Sequence, residues 1–267
     1  MLATGAWEPA ATHSGYRSVN EELVSASDIR PEQVVLDVGC GTGSASGIVV
    51  ERVPRALVWA IDPDREMLEQ MPGALAQRVG QIVASAEELG TLFPPAVADR
   101  VLLANCIHLI EDLPAAMRGV AKVLRPGGAV GLCTTFYEGG RPAGDEAIYR
   151  RFLFKAYAEL RRRGVPRVRV ARDVHSARVV DRADVRELLG THGLVIQREW
   201  EREVLLSSDL LRDLLGSKHY AAGALPGIDP ATAAAALADA SQALLSEGVE
   251  SIARNWWYLL CNMEAGG

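Results

Sequence analysis

The sequence predicts an α/β fold in which an open, mostly parallel sheet carries helices on both faces. Three observations point there. Short apolar runs alternate with amphipathic stretches through the first half of the chain. A glycine cluster stands where the first run gives way to a helix. The 267 residues, 49% of them hydrophobic, are enough to bury a sizeable core.

The apolar runs at Val34–Val38 and at residues 56–61, 81–84, 101–104 and 129–133 are bounded by turn or cap residues and read as buried strands. Helical spacing is expected in Ser44–Arg52, 63–71 and 113–124, so strand and helix alternate. Right-handed crossovers between parallel strands are the economical way to join such elements. The "RPGG" at 125–128 is expected to end a helix and release the chain into the fifth strand, because proline breaks the helix and glycine allows the turn. Beyond Phe136 the pattern loosens. A charged amphipathic helix over 145–163 and a mixed segment over 165–180 read as an inserted cap. A helix at Arg182–Thr191 then leads through Gly193 into a strand over 194–206. An alanine-rich helical stretch over 229–253 precedes an aromatic strand over 256–261.

The bulk chemistry narrows the function. A net charge of −6 offers no broad basic field for a nucleic-acid backbone. The cluster Arg161, Arg162, Arg163, Arg167, Arg169 and Arg172 reads as a solvated helix face. Cys40, Cys106, Cys133 and Cys261 form no CxxC pair, which argues against a zinc site or disulfide framework and for a reducing cytoplasm. No compact His/Asp/Glu ligand cluster suggests a metal, and no run approaches the roughly 20 apolar residues that span a bilayer. The expected setting is cytoplasmic, away from membrane. The sequence is silent on oligomeric state.

The glycine stretch "VVLDVGCGTG" (34–43) lies at a first strand-to-helix turn, where open α/β sheets bind ligands. Gly39, Gly41 and Gly43 miss the G-x-G-x-x-G spacing of a dinucleotide site, because Ser44 stands where that pattern needs its last glycine. No Gly-Lys-Ser/Thr of a P-loop follows. A second carboxylate, Asp62 in "VWAIDPD", falls at the end of the second strand, where it can accept from ribose hydroxyls or cap the next helix. The free N–H groups of the next helix can donate to negative parts of a ligand, so a small anionic or zwitterionic ligand is implied; Asp62 supports adenosine, and a nicotinamide-dependent dehydrogenase is disfavoured.

The ordered motifs "VLDVGCGTG", "AIDPDREML", "VASAEEL", "DRVLLANCIHLIED" and "VLRPGGAVGL", over about residues 33–135, resemble those of class I S-adenosylmethionine-dependent methyltransferases. The resemblance implies a Rossmann-like, doubly wound seven-stranded sheet of order 3-2-1-4-5-7-6 with strand 7 antiparallel and helical cap insertions. It implies a lid helix in residues 1–30, a core over 31–267, and caps at about 136–180 and 207–253. By position, Asp37 matches the acidic residue near the cofactor's amino group, and Gly39, Cys40 and Gly41 the loop beneath its methionyl part. Asp62 with Pro63 matches the ribose clamp and Met67 the apolar flank of adenine. Ser85, Ala86 and Glu87 fall at the adenine amino group, where the family often has Asp-Ala; a serine hydroxyl can still accept there. Asn105 matches a residue whose backbone faces the cofactor, and Tyr16 and Arg17 fall on the helix that closes over it.

These expectations give a transferase that moves a methyl group from S-adenosyl-L-methionine to an oxygen or carbon of a small organic acceptor, for instance a secondary metabolite such as a polyketide. The alternative is a cofactor-binding protein of the same fold that promotes cyclisation or rearrangement without methyl transfer. His108, in "NCIHL" after the fourth strand, is the expected base for an acceptor hydroxyl; a packed core histidine is its other reading. Phe136, Tyr137, His175 and Tyr220 are the expected acceptor contacts, with Trp256 and Trp257 as further candidate walls.

Overall fold

The computed structural model describes residues 14–166, 178–207, 210, 221, 224, 225 and 227–264. Seven strands make one sheet in the order β3-β2-β1-β4-β5-β7-β6. They are β1 (Val34–Val38), β2 (Leu57–Asp62), β3 (Gly80–Val83), β4 (Ala98–Ala104), β5 (Leu124–Thr134), β6 (Leu194–Ser207) and β7 (Ser251–Met263). Pairings from β3 through β5 are parallel, and β7 runs antiparallel to β5, with Ala129 opposite Asn262 and Thr134 opposite Trp257. The strand order and the reversed strand are those the motifs imply.

The chain divides into two compact units, one of residues 17–138, 179–202 and 256–267, the other of 1–16, 139–178 and 203–255. In the first, β1 is buried along nearly its whole length, as a strand covered on both faces requires. Helix α1 (Ser14–Ala26), helix α2 (Ser44–Arg52) and short helices α3 (Arg65–Glu69), α4 (Gly73–Ala76) and α5 (Leu89–Leu92) precede α6 (Leu113–Val123). Helix α6 shows how sequence sets an element. Asp112 caps it by accepting from Ala115 N–H at 2.9 Å, and Pro114 suits the first turn. Leu113, Ala116, Met117, Val120 and Val123 return at helical spacing and are buried, each large one worth about 1.5–3 kcal/mol against exposure. They join a core with Leu36, Ile61, Val101, Leu103, Val130, Trp257 and Leu259. Helix α8 (Arg182–Thr191) adds Val185 and Leu189 to the same core.

In the second unit, α7 (Ala143–Arg162) lays Phe152, Ala156 and Leu160 against Ala233, Leu237, Ala240 and Leu244 of α9 (Pro230–Ser246). Alanines at this seam let the two helices approach closely. Among the described residues no helix is long and apolar enough to cross a membrane.

Three sequence expectations change. The RPGG stretch does not precede the fifth strand but lies inside it: Leu124 pairs with Ala98, and after a register shift Ala129 pairs with Arg100. Arg125 holds this irregularity by an ion pair to the buried Asp99 at 2.9 Å and a bond to Val97 O, while Asp99 also accepts from Val34 N–H at 2.7 Å. The alanine-rich helix stops at Ser246, and Gly248 turns the chain at φ 84° so that β7 begins at Ser251, well before the aromatic run. The helix expected over 63–71 is only Arg65–Glu69, and its cap is Asp64, not Asp62.

Candidate functional site

The loops leaving the carboxyl ends of β1, β2, β4 and β5 are tied to one another, and each tie uses a residue type the loop needs. Gly39 and Cys40 donate their N–H groups to Ile61 O at 2.8 and 3.1 Å, and Gly41 donates to Asp62 Oδ2 at 2.8 Å. The first loop is therefore strapped to the end of β2. Cys106, just past β4, donates its thiol to Val38 O at 3.1 Å. Its side chain passes so close to the loop that a Cβ on Gly39 would stand 2.6 Å from Cys106 Cβ, at a φ of 67°. Glycine is required there twice over, by backbone hand and by space. Gly41 differs: its φ is 55°, and a Cβ would meet nothing within 4 Å, so its bare side faces open space.

The carboxylates have separate jobs. Asp62 takes Gly41 N–H on one oxygen and Asp64 N–H, at 2.9 Å, on the other. Asp37 is fully buried, and its Oδ2 receives both Ser46 N–H at 2.9 Å and Ser46 Oγ–H at 2.6 Å. Its Oδ1 is buried with no hydrogen-bond partner among the described residues. Burial pushes this carboxyl up to about 6, the Ser46 bonds pull it down, and the negative charge of Asp62 adds to the rise. A buried acid with one idle oxygen and an acidic neighbour is relieved by taking up either a proton or a cation. The glycine-loop amides are largely consumed by protein acceptors.

At the far side, Asn105 adopts a left-handed φ of 56° at the end of β4, and its side-chain oxygen accepts from Thr135 N–H at 3.3 Å beyond β5. His108, in a tight turn (Ile107–Leu109), is buried and stacked on half-buried Phe136, with ring centroids 3.8 Å apart and planes 16° from parallel. Its Nδ1 lacks a partner among the described residues, as does the buried Oγ1 of Thr135. Burial pulls the imidazole down to about 3, so it is neutral at physiological pH.

Ser85 and Glu88 form a reciprocal cap of the turn Ala86–Glu88. Glu87 accepts from Glu111 and Asp112 N–H, both at 3.1 Å; burial would raise its carboxyl, and those backbone donors hold it below the ordinary range instead. Met67 is buried on α3, and Pro63 joins Asp62 to the cap of that helix. Arg17 is committed elsewhere, bonded to Glu21 at 2.8 Å and Glu51 at 2.6 Å. Tyr16 opens α1 and groups with the second unit. Tyr137 is not a free wall but core: it is buried, donates its hydroxyl to Glu201 at 2.9 Å and packs near Trp257. Trp256 and Trp257 are buried likewise. His175 and Tyr220 lie outside the described residues. Sequence reasoning passed over Ser46, Cys106 and Thr135. The available signal for Ser46 was a polar residue among the buried Ala45, Ile48 and Val49 of α2.

Residues 35–128, which hold the strapped loops and both carboxylates, match the methyltransferase-domain family. Over that stretch the chain is similar to methyltransferase domains. Malonyl-[acyl-carrier protein] O-methyltransferase of Xylella fastidiosa is 33% identical over 129 residues, covering 44% of this chain and 41% of that protein. Nocamycin O-methyltransferase of Saccharothrix syringae is 34% identical over 120 residues, covering 44% and 43%. The chain thus spans less than half the length of these curated relatives. In fold, the chain is similar to the [4+2]-cyclase SpnF, with a TM-score of 0.59 at 17% identity over 94% of this chain and 82% of that one. It is also similar to geranyl diphosphate C-methyltransferase of Streptomyces coelicolor, with a TM-score of 0.54 at 12% identity over 92% and 75%; that structure holds S-adenosyl-L-homocysteine.

Proposed function

We propose that the protein transfers the methyl group of S-adenosyl-L-methionine to an oxygen or carbon of a small organic acceptor. The observation that carries this reading is the pair of carboxylates at the ends of β1 and β2, one with an idle buried oxygen beside a glycine loop open at Gly41. Asp37 suits the α-ammonium and Asp62 the ribose hydroxyls; Gly41 leaves room for the methionyl chain. The cofactor, when bound, supplies a methyl group already activated on a sulfonium, so the protein's task is alignment and exclusion of water.

At the other side, the Phe136–His108 plate offers an apolar face with one unsatisfied nitrogen at its edge, and Thr135 adds a hydroxyl. That combination suits an uncharged conjugated acceptor bearing a hydroxyl or enol. His108 then orients the acceptor by a hydrogen bond instead of storing a proton, and the acceptor's own acidity decides how readily it reacts. The four cysteines are free and buried, which supports a reducing compartment. The O-methyltransferase relatives support an oxygen acceptor.

A second reading, cyclisation without methyl transfer, draws support from the fold likeness to the [4+2]-cyclase and from a histidine too weakly basic to act as a conventional base. Incubation with methyl-labelled S-adenosylmethionine and a panel of phenolic, enolic and carboxylic acceptors separates the two. Label in the product is expected; product formed with no label in it would reverse the assignment.

A further inference from the structure

Ser46 gives Asp37 more than a helix residue ordinarily gives a neighbour. Its backbone N–H and its hydroxyl both reach the same oxygen, Oδ2, leaving Oδ1 buried and idle. Ser46 is itself fully buried on α2, so no water competes for the hydroxyl. We propose that Ser46 is a positioning residue for cofactor capture: by fixing one oxygen of Asp37 it presents the other to the cofactor's α-ammonium and keeps the carboxyl ionised to receive it. The proposal rests on the reading that S-adenosylmethionine binds at this loop.

The groups facing Asp37 show why such help is needed. From the end of β2 comes the negative charge of Asp62; from the loop, from beyond β4 and from β5 come the thiols of Cys40, Cys106 and Cys133, which burial holds protonated. None of these supplies a positive charge. The Ser46 bonds alone oppose burial, and they leave the carboxyl at about 6. An ammonium docking on Oδ1 therefore expels the proton that Asp37 carries below that pH: the O–H bond breaks, the proton leaves to buffer, and a carboxylate–ammonium pair forms. Removing the hydroxyl takes away one charge-assisted bond, worth about one to two pH units of acidity. The titration of Asp37 then moves toward neutrality.

Calorimetry with S-adenosylhomocysteine, which keeps the α-ammonium, reads both affinity and proton release when repeated in buffers of different ionisation heat from pH 5.5 to 8.5. The wild-type protein is expected to release about half a proton on binding at pH 6 and almost none at pH 8. Ser46→Ala is expected to bind about five- to fiftyfold more weakly than wild type at pH 6 and within about twofold at pH 8.5, with its proton release displaced to higher pH. Ser46→Thr, which keeps the hydroxyl, restores the wild-type profile, and Asp37→Asn loses both the proton release and the pH dependence. Thermal melting of each variant checks folding. A Ser46→Ala deficit equal at every pH, or none, overturns the proposal while leaving the cofactor reading intact. Absence of binding heat in the wild type removes that reading and the proposal with it.

Discussion

His108 and Asp37 are both buried ionisable groups at the carboxyl edge of the sheet, yet they bias stability in opposite directions with pH. The His108 imidazole titrates at about 3 when folded against about 6.5 unfolded. The unfolded chain takes up that proton first, so the stability His108 contributes is complete above about pH 6.5 and declines toward pH 3. Asp37 titrates at about 6 folded against about 3.9 unfolded, so the folded chain holds a proton that the unfolded chain has lost. Its contribution is greatest below about pH 4 and falls away as pH rises to 6. Between pH 4 and 6 the two slopes, each up to about 1.4 kcal/mol per pH unit, oppose one another. His108→Phe keeps an aromatic plate on Phe136 and deletes one of them. Urea unfolding of that variant is expected to show stability dropping from pH 4.5 to 6 where the wild type stays level. Parallel curves would show that the histidine is not held neutral by burial.

At the scale of elements, the site is a set of loops whose spacing is set by close packing between backbones. The β1 loop and the β4 loop meet at Gly39 and Cys106, where a single added methyl has no room. Gly39→Ala would also force an L-residue to a φ of 67°, a cost of roughly 1–2 kcal/mol before any clash. The expected result is at least a tenfold loss of S-adenosylhomocysteine affinity, with partial recovery in the double variant Gly39→Ala, Cys106→Gly, read by calorimetry. No recovery would locate the damage in backbone strain alone. At the opposite ends of the strands, Asp99 joins the start of β1 to the irregular start of β5 through Val34 and Arg125. The contrast follows the logic of the α/β sheet, in which carboxyl-end loops serve the ligand and the amino-end contacts serve the scaffold. The alternation of apolar runs made the first five strands readable. The ends of elements were less so, because RPGG has the composition of a turn yet the strand runs through it, flanked by the pairings of Leu124 with Ala98 and of Ala129 with Arg100.

For the whole molecule, a ligand that binds only the folded state must raise its melting temperature. At a free concentration of 100 times Kd the gain is about 2.7 kcal/mol, or on the order of 5–10 °C for a chain of this size. S-adenosylhomocysteine is expected to produce such a shift and NADH none; the reverse result would return the glycine loop to a dinucleotide role.

The sequence by itself determined the α/β class, the position of the glycine turn and its mismatch to a dinucleotide fingerprint. Those properties are local: periodic burial and the positions of glycine and acid along one strand-turn-helix unit express them directly. Only the tertiary structure decided that Arg17 is spent on Glu21 and Glu51, that Tyr137 is core, that the loop amides are already satisfied and that Ser46 holds Asp37. Each of these depends on which partner a polar group finds across the fold. That choice is settled by competition among groups far apart in the chain, which no local pattern records.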